Sequence, residues 1–125
     1  LPDDVEAILA CPAGPLAGRA AALGIHVETI RGTNASLRMS RHTPRESAAA
    51  LGDAFAVRRL TRRRAIDVIH ANSIRAGIMV APLRWLGGPP ILVSVRDCLP
   101  RRAPAALVRR TVCSTAGALS ANSRH

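Results

Sequence analysis

The sequence predicts an α/β domain built on a mainly parallel five-stranded sheet with helices on both faces. Three observations carry this. Short apolar runs of strand length recur at residues 5–10, 25–30, 66–71, 91–95 and 118–121. The segments between them show helical periodicity or helix-start signals. Strand and helix alternate from one end to the other, the order that crossover connections turn into a parallel sheet.

Each element has a local reason. Residues 5–10 read as a short buried strand, broken by Cys11-Pro12-Ala13-Gly14-Pro15. Residues 16–23 are Ala-rich and helical, and Gly24 stops them. In the second strand Ile25, Val27 and Thr29 alternate with His26, Glu28 and Ile30. Thr43-Pro44-Arg45-Glu46 has the form of a capping box, with Thr at the N-cap, Pro at N1 and Glu at N3. The helix it opens carries Ala48, Leu51 and Phe55 on one face and runs to about Arg64. After the third strand, Asn72 or Ser73 caps a helix that reaches Leu86 and is expected to kink or break at Pro82. Gly87-Gly88-Pro89-Pro90 is a turn, and Pro104 opens a helix to about Thr115 before the fifth strand.

Composition narrows the function. Hydrophobic residues make up 48% of 125, ample for a packed core. The longest nearly apolar stretch, 74–86, is interrupted by Arg75 and Arg84 and is shorter than the roughly 20 residues a membrane span needs. There are 18 basic and 8 acidic residues, for a net charge of +10. Every basic residue is Arg, and 23 Ala accompany them, so base composition of the gene accounts for part of the charge. A basic chain still attracts phosphate esters and anionic lipid. Phe55 and Trp85 are the only aromatics beside four His, too few for base-stacking platforms, so nucleic acid is not an expected partner. Cys11, Cys98 and Cys113 are an odd number without a CxxC pair, which fits a reducing, cytoplasmic setting.

In open α/β sheets, ligands bind beyond the C-terminal ends of the strands. That selects the residues just after each apolar run. His70, Asn72, Ser73 and Arg75 follow or end the third strand, Arg96 and Asp97 follow the fourth, and Asn122 and Ser123 follow the fifth. Ala-Asn-Ser occurs twice, at 71–73 and 121–123. Asn and Ser are good N-caps, and the same turns aim N–H groups at an anion or sugar hydroxyl. His70 is either a hydrogen-bonded structural residue or a ligand. Arg96–Asp97 is either a loop salt bridge or a pair in which Arg takes a phosphate and Asp holds a hydroxyl or acts as a base. No nucleophile elbow, Walker A loop or G-x-G-x-x-G motif is present. His26, His42, His70 and His125 lack metal-ligand spacing, so neither cofactor nor metal is expected. The arginines at 58–59 and 62–64 suit a helix C-terminus and also offer a patch for an anionic membrane surface.

The stretch AIDVIHANSIRAGIMVAPLRWLGGPPILVSVRDCLP, followed by ALSANSRH, resembles the N-terminal domain of GT-B glycosyltransferases of the large retaining family 4. ILACPAGPLAGRAAALGIHV resembles the second strand–helix–strand unit of the same domain. The resemblance covers nearly the whole chain, and the order and spacing of the motifs carry it. It implies a Rossmann-like doubly wound half that holds the acceptor, facing a second domain that holds a nucleotide-sugar donor. It implies that Asp67 to His70 with Asn72 and Ser73 line the acceptor side, and that Arg96 and Asp97 lie near the reacting centre, with Asp97 catalytic. Many members have His before that Asp; Arg96 in its place implies contact with acceptor or phosphate.

By the same resemblance, residues 1–125 are an incomplete acceptor-side domain, lacking the opening strand and the donor domain, and inactive alone. The full enzyme would be a hexosyltransferase using a sugar, lipid or small-molecule acceptor. It would be cytoplasmic, with peripheral contact to the inner face of an anionic membrane. Two alternatives stand beside this: another GT-B enzyme half, such as a sugar-nucleotide epimerase, and a basic binding module for nucleic acid or anionic lipid.

Overall fold

A computed structural model describes residues 4–31, 44–96 and 103–121, with side chains placed throughout except at 44–50 and 103–105. The chain divides into two units, Leu1–Asn34 and Ala35–His125. The capping box begins at Thr43, outside the described residues.

The first unit is one strand–helix–strand motif. Strand β1 (Ile8–Cys11) pairs in parallel with β2 (His26–Thr29), Ile8 opposite His26 and Cys11 opposite Thr29. Helix α1 (Pro15–Ala22) crosses between them, with Pro15 in its first turn, where a missing N–H costs nothing. Gly24, at φ 76°, ends it: the Gly24 N–H donates to the Ala21 carbonyl and Ile25 N–H to that of Ala20. This is a left-handed helix stop, which glycine adopts without a Cβ penalty.

The second unit holds three strands in the order β3 (Ile69–Ala71), β4 (Ile91–Val95), β5 (Ala118–Ala121), all parallel. Helix α2 (Pro44–Arg63) precedes β3. Helix α3 (Ile74–Val80) and a 3₁₀ turn (Ala81–Arg84) connect β3 to β4, and α4 (Ala103–Thr115) connects β4 to β5. Pro82 explains the change of helix type. It has no N–H to return to Ile78, so the chain tightens into the 3₁₀ form, with Trp85 N–H bonded to the Pro82 carbonyl.

All five expected strands form and every pairing is parallel; among the described residues they make a two-stranded and a three-stranded sheet in place of the expected single five-stranded sheet. Each pairing joins consecutive strands linked by one helical crossover, and the two sheets belong to the two separate units. Strand β3 also starts later than the apolar run suggests. Ala65 takes the left-handed conformation (φ 47°) and Ile66 N–H turns back to the Thr61 carbonyl, so 66–68 close α2 before the strand begins.

The core of the second unit lies on one face of its sheet. Ala71, Ile91 and Val93 point there and meet Ala54 and Val57 of α2, Ile74 and Val80 of α3, Leu83, and Val112 of α4. Strand alternation puts His70, Leu92 and Ser94 on the other face. In α2 the stripe expected from Leu51 and Phe55 faces outward, with Leu51 54% and Phe55 60% exposed. The buried stripe is Asp53, Ala54, Val57 and Thr61. Small side chains win that position because they let α2 approach α3 and the 3₁₀ turn closely. Among the described residues, no helix is long and apolar enough to cross a membrane.

Candidate functional site

Parallel pairing of β3 with β4 brings their C-terminal ends to one edge, because Ala71 sits opposite Val93. The residues that follow β3 and β4 therefore gather there. Asn72 and Ser73 form the turn from β3 into α3. Arg96 follows Val95 directly and is exposed.

Ser73 is the N-cap of α3, with extended backbone, and its hydroxyl accepts a hydrogen bond from Ala76 N–H at 3.2 Å. Asn72, one residue earlier, is exposed, as is Arg75 in the first turn. The turn is therefore fixed by a cap that occupies Ser73 and leaves the side chains of Asn72 and Arg75 directed to solvent. Gly77, one turn on, allows this. A Cβ there would lie 3.0 Å from Cγ1 of Val93, so only glycine lets α3 settle on β4 without displacing that side chain.

His70 adds a second fixed group. Its Nε2 lies 2.8 Å from the Ser94 hydroxyl, across the β3–β4 ladder on the face away from the core. The bond joins residues 24 apart in sequence, and Ser94 is 7% exposed. The tautomer of His70 decides which partner donates. In either case the imidazole is anchored near the C-terminal edge through Nε2. Ser94 is not among the residues that strand-end position selects. The available signal was that it is the one polar residue in the apolar run Ile-Leu-Val-Ser-Val.

The structure thus brings His70, Asn72, Ser73 and Arg96 to two adjacent strand ends, with Arg75 in the first turn of the helix that follows one of them. Asp97, Asn122 and Ser123 lie outside the described residues. β5 ends at Ala121, opposite Val95, at the same edge of the sheet. The arrangement offers hydrogen-bonding side chains and guanidinium groups to a polyhydroxylated or phosphorylated ligand. Among the described residues, no group of three or more His, Cys, Asp or Glu is placed to hold a metal ion.

No curated protein and no solved structure matches the chain. The glycosyl transferase 4-like domain profile matches residues 3–125, which span both units and every strand described above. The chain belongs to the glycosyl transferase 4-like domain family.

Proposed function

We propose that this chain is the acceptor-side part of a retaining glycosyltransferase that uses a nucleotide-sugar donor. The observation that carries the reading is the gathering of His70, Asn72, Ser73 and Arg96 at one strand-end edge in a member of this family. A second Rossmann-like domain holds the donor, and residues 1–125 alone turn over no nucleotide sugar. The acceptor is a sugar, a lipid or a small molecule bearing a hydroxyl, and the enzyme works in the cytoplasm.

In the reaction the acceptor oxygen bonds to the anomeric carbon of the sugar on the face from which the donor's phosphate departs, so the configuration is kept. The bond from that carbon to the donor's phosphate oxygen breaks, and the acceptor proton is taken up at Asp97. Asn72 and the anchored His70 orient the acceptor, and Arg96 offers a planar fork to a phosphate or carboxylate on it. Orientation and fixed charge supply most of the rate in such a site.

The test is incubation of the full-length protein with nucleotide sugars and candidate acceptors, followed by nuclear magnetic resonance of the product. A glycoside with the donor's own anomeric configuration supports the reading. An inverted glycoside refutes retention. A rearranged nucleotide sugar without transfer indicates an epimerase instead.

A further inference from the structure

The second unit has a cavity of about 250 Å³ that the site above does not use. Arg58, Thr61 and Arg62 of α2 form one wall, and residues 86–89, the turn that precedes β4, form another. It opens where the chain enters β3 and β4, at the edge of the sheet opposite His70 and Arg96.

Three features give it a chemistry. First, the charged groups on its walls are two guanidinium groups, with no acidic side chain among the lining residues. Second, Arg58 Nε is buried and has no hydrogen-bond partner among the described residues. A buried cationic donor left in that state lacks a counterpart. Third, Arg58 and Arg62 stand four residues apart on one helix face, a spacing at which like charges repel. An anion between them would answer all three. The walls are also held in place. Thr61 donates its hydroxyl to the Arg58 carbonyl at 2.8 Å, and Gly88 N–H donates to the Leu83 carbonyl at 2.8 Å.

We propose that this cavity binds a phosphate group, gripped by Arg58 and Arg62. Guanidinium matches phosphate oxygens with paired N–H donors, which favours phosphate over a simple halide. At about 250 Å³ the cavity is smaller than the roughly 300–1,000 Å³ of pockets that enclose drug-sized ligands, so it takes the phosphate end of a molecule and not a whole nucleotide sugar. The bearer is a soluble phosphate ester or a lipid head group. The helix C-terminus favours Arg62 and Arg63 alike, since both lie in its last turn, yet Arg63 does not line the cavity and Arg58, outside that turn, does.

The test titrates inorganic phosphate into the 125-residue chain at constant ionic strength. Trp85, the only tryptophan and adjacent to Leu86 of the wall, reports by fluorescence, and calorimetry gives the stoichiometry. Saturable one-site binding is expected. Arg58→Gln and Arg62→Gln should each weaken it about tenfold or more, while Arg59→Gln and Arg63→Gln, with the same loss of charge, should change it less than about twofold. Circular dichroism checks that each variant keeps its helices. A second arm uses vesicles of phosphatidylcholine with and without phosphatidylglycerol. Binding to the anionic vesicles that inorganic phosphate competes away assigns the phosphate to a head group. Phosphate binding without vesicle binding assigns it to a soluble ester. No saturable phosphate binding, or equal weakening by all four substitutions, overturns the site.

Discussion

One substitution made in two helices tests how the candidate site is held. Gly52 lies in α2 and Gly77 in α3. Alanine is favoured over glycine in a helix by about 1 kcal/mol, so propensity alone would stabilise both variants equally. The surroundings differ. A Cβ on Gly52 meets nothing within 4 Å, so Gly52→Ala should gain the full amount. A Cβ on Gly77 would sit 3.0 Å and 3.2 Å from the two Cγ atoms of Val93. Carbon atoms prefer about 3.5–4.0 Å, so the overlap is roughly half an ångström. Val93 cannot yield easily, because it is 1% exposed and β-branched side chains are stiff about χ1. Overpacking of this kind costs about 1–3 kcal/mol, which cancels or exceeds the helix gain. The two variants should therefore differ by about 1–3 kcal/mol, with Gly52→Ala the more stable. Urea unfolding measures this directly. With a slope of about 1–3 kcal/mol/M, the midpoints should separate by about 1 M. Equal stabilisation of both would refute the close seating of α3 on β4, and with it the fixed position of the Asn72–Ser73 turn.

Other substitutions read single features. Ala65→Gly should stabilise the chain by about 0.5–1 kcal/mol in thermal unfolding, because relief of a left-handed alanine, about 1–2 kcal/mol, outweighs the added freedom of the unfolded chain. Ser73→Ala should cost about 1 kcal/mol by loss of the α3 cap, and Ser73→Asp should restore most of it, as compared by urea midpoints. Leu83→Ala, at a side chain with no exposed surface, should cost about 2–5 kcal/mol in the same assay.

Much of the element order is legible because its signals are local. Pro82 and Gly24 mark changes of backbone that depend on the residue itself, and Ser73 caps the helix that follows it. The short apolar runs at 91–95 and 118–121 give β4 and β5 their observed limits. What escapes a sequence reading is set by register. The His70–Ser94 bond exists because parallel pairing aligns His70 with Leu92 and brings Ser94 within reach along the same face. The need for glycine at 77 lies in Val93, on a different element. The outward stripe of α2 was misleading for a related reason. Leu51 and Phe55 look like a core face, but the closeness of α2 to α3 selects the smaller Ala54 and Val57. The candidate site was legible as far as chain position goes: residues after β3 and β4 share an edge once the sheet is parallel. The cavity at Arg58 and Arg62 was not, since its second wall comes from residues 86–89.

The central claim is that the C-terminal edge of the three-stranded sheet carries the reacting acceptor, with Asp97 as the group that accepts its proton. Steady-state kinetics of Asp97→Asn in the full-length enzyme tests it most directly, with the fold checked by circular dichroism. Asn keeps the shape and removes the basic oxygen, so turnover should fall by about 10²–10⁴, the range ascribed to a positioned acid–base group. Near-wild-type turnover in a folded variant would contradict the account and leave Arg96–Asp97 a loop salt bridge.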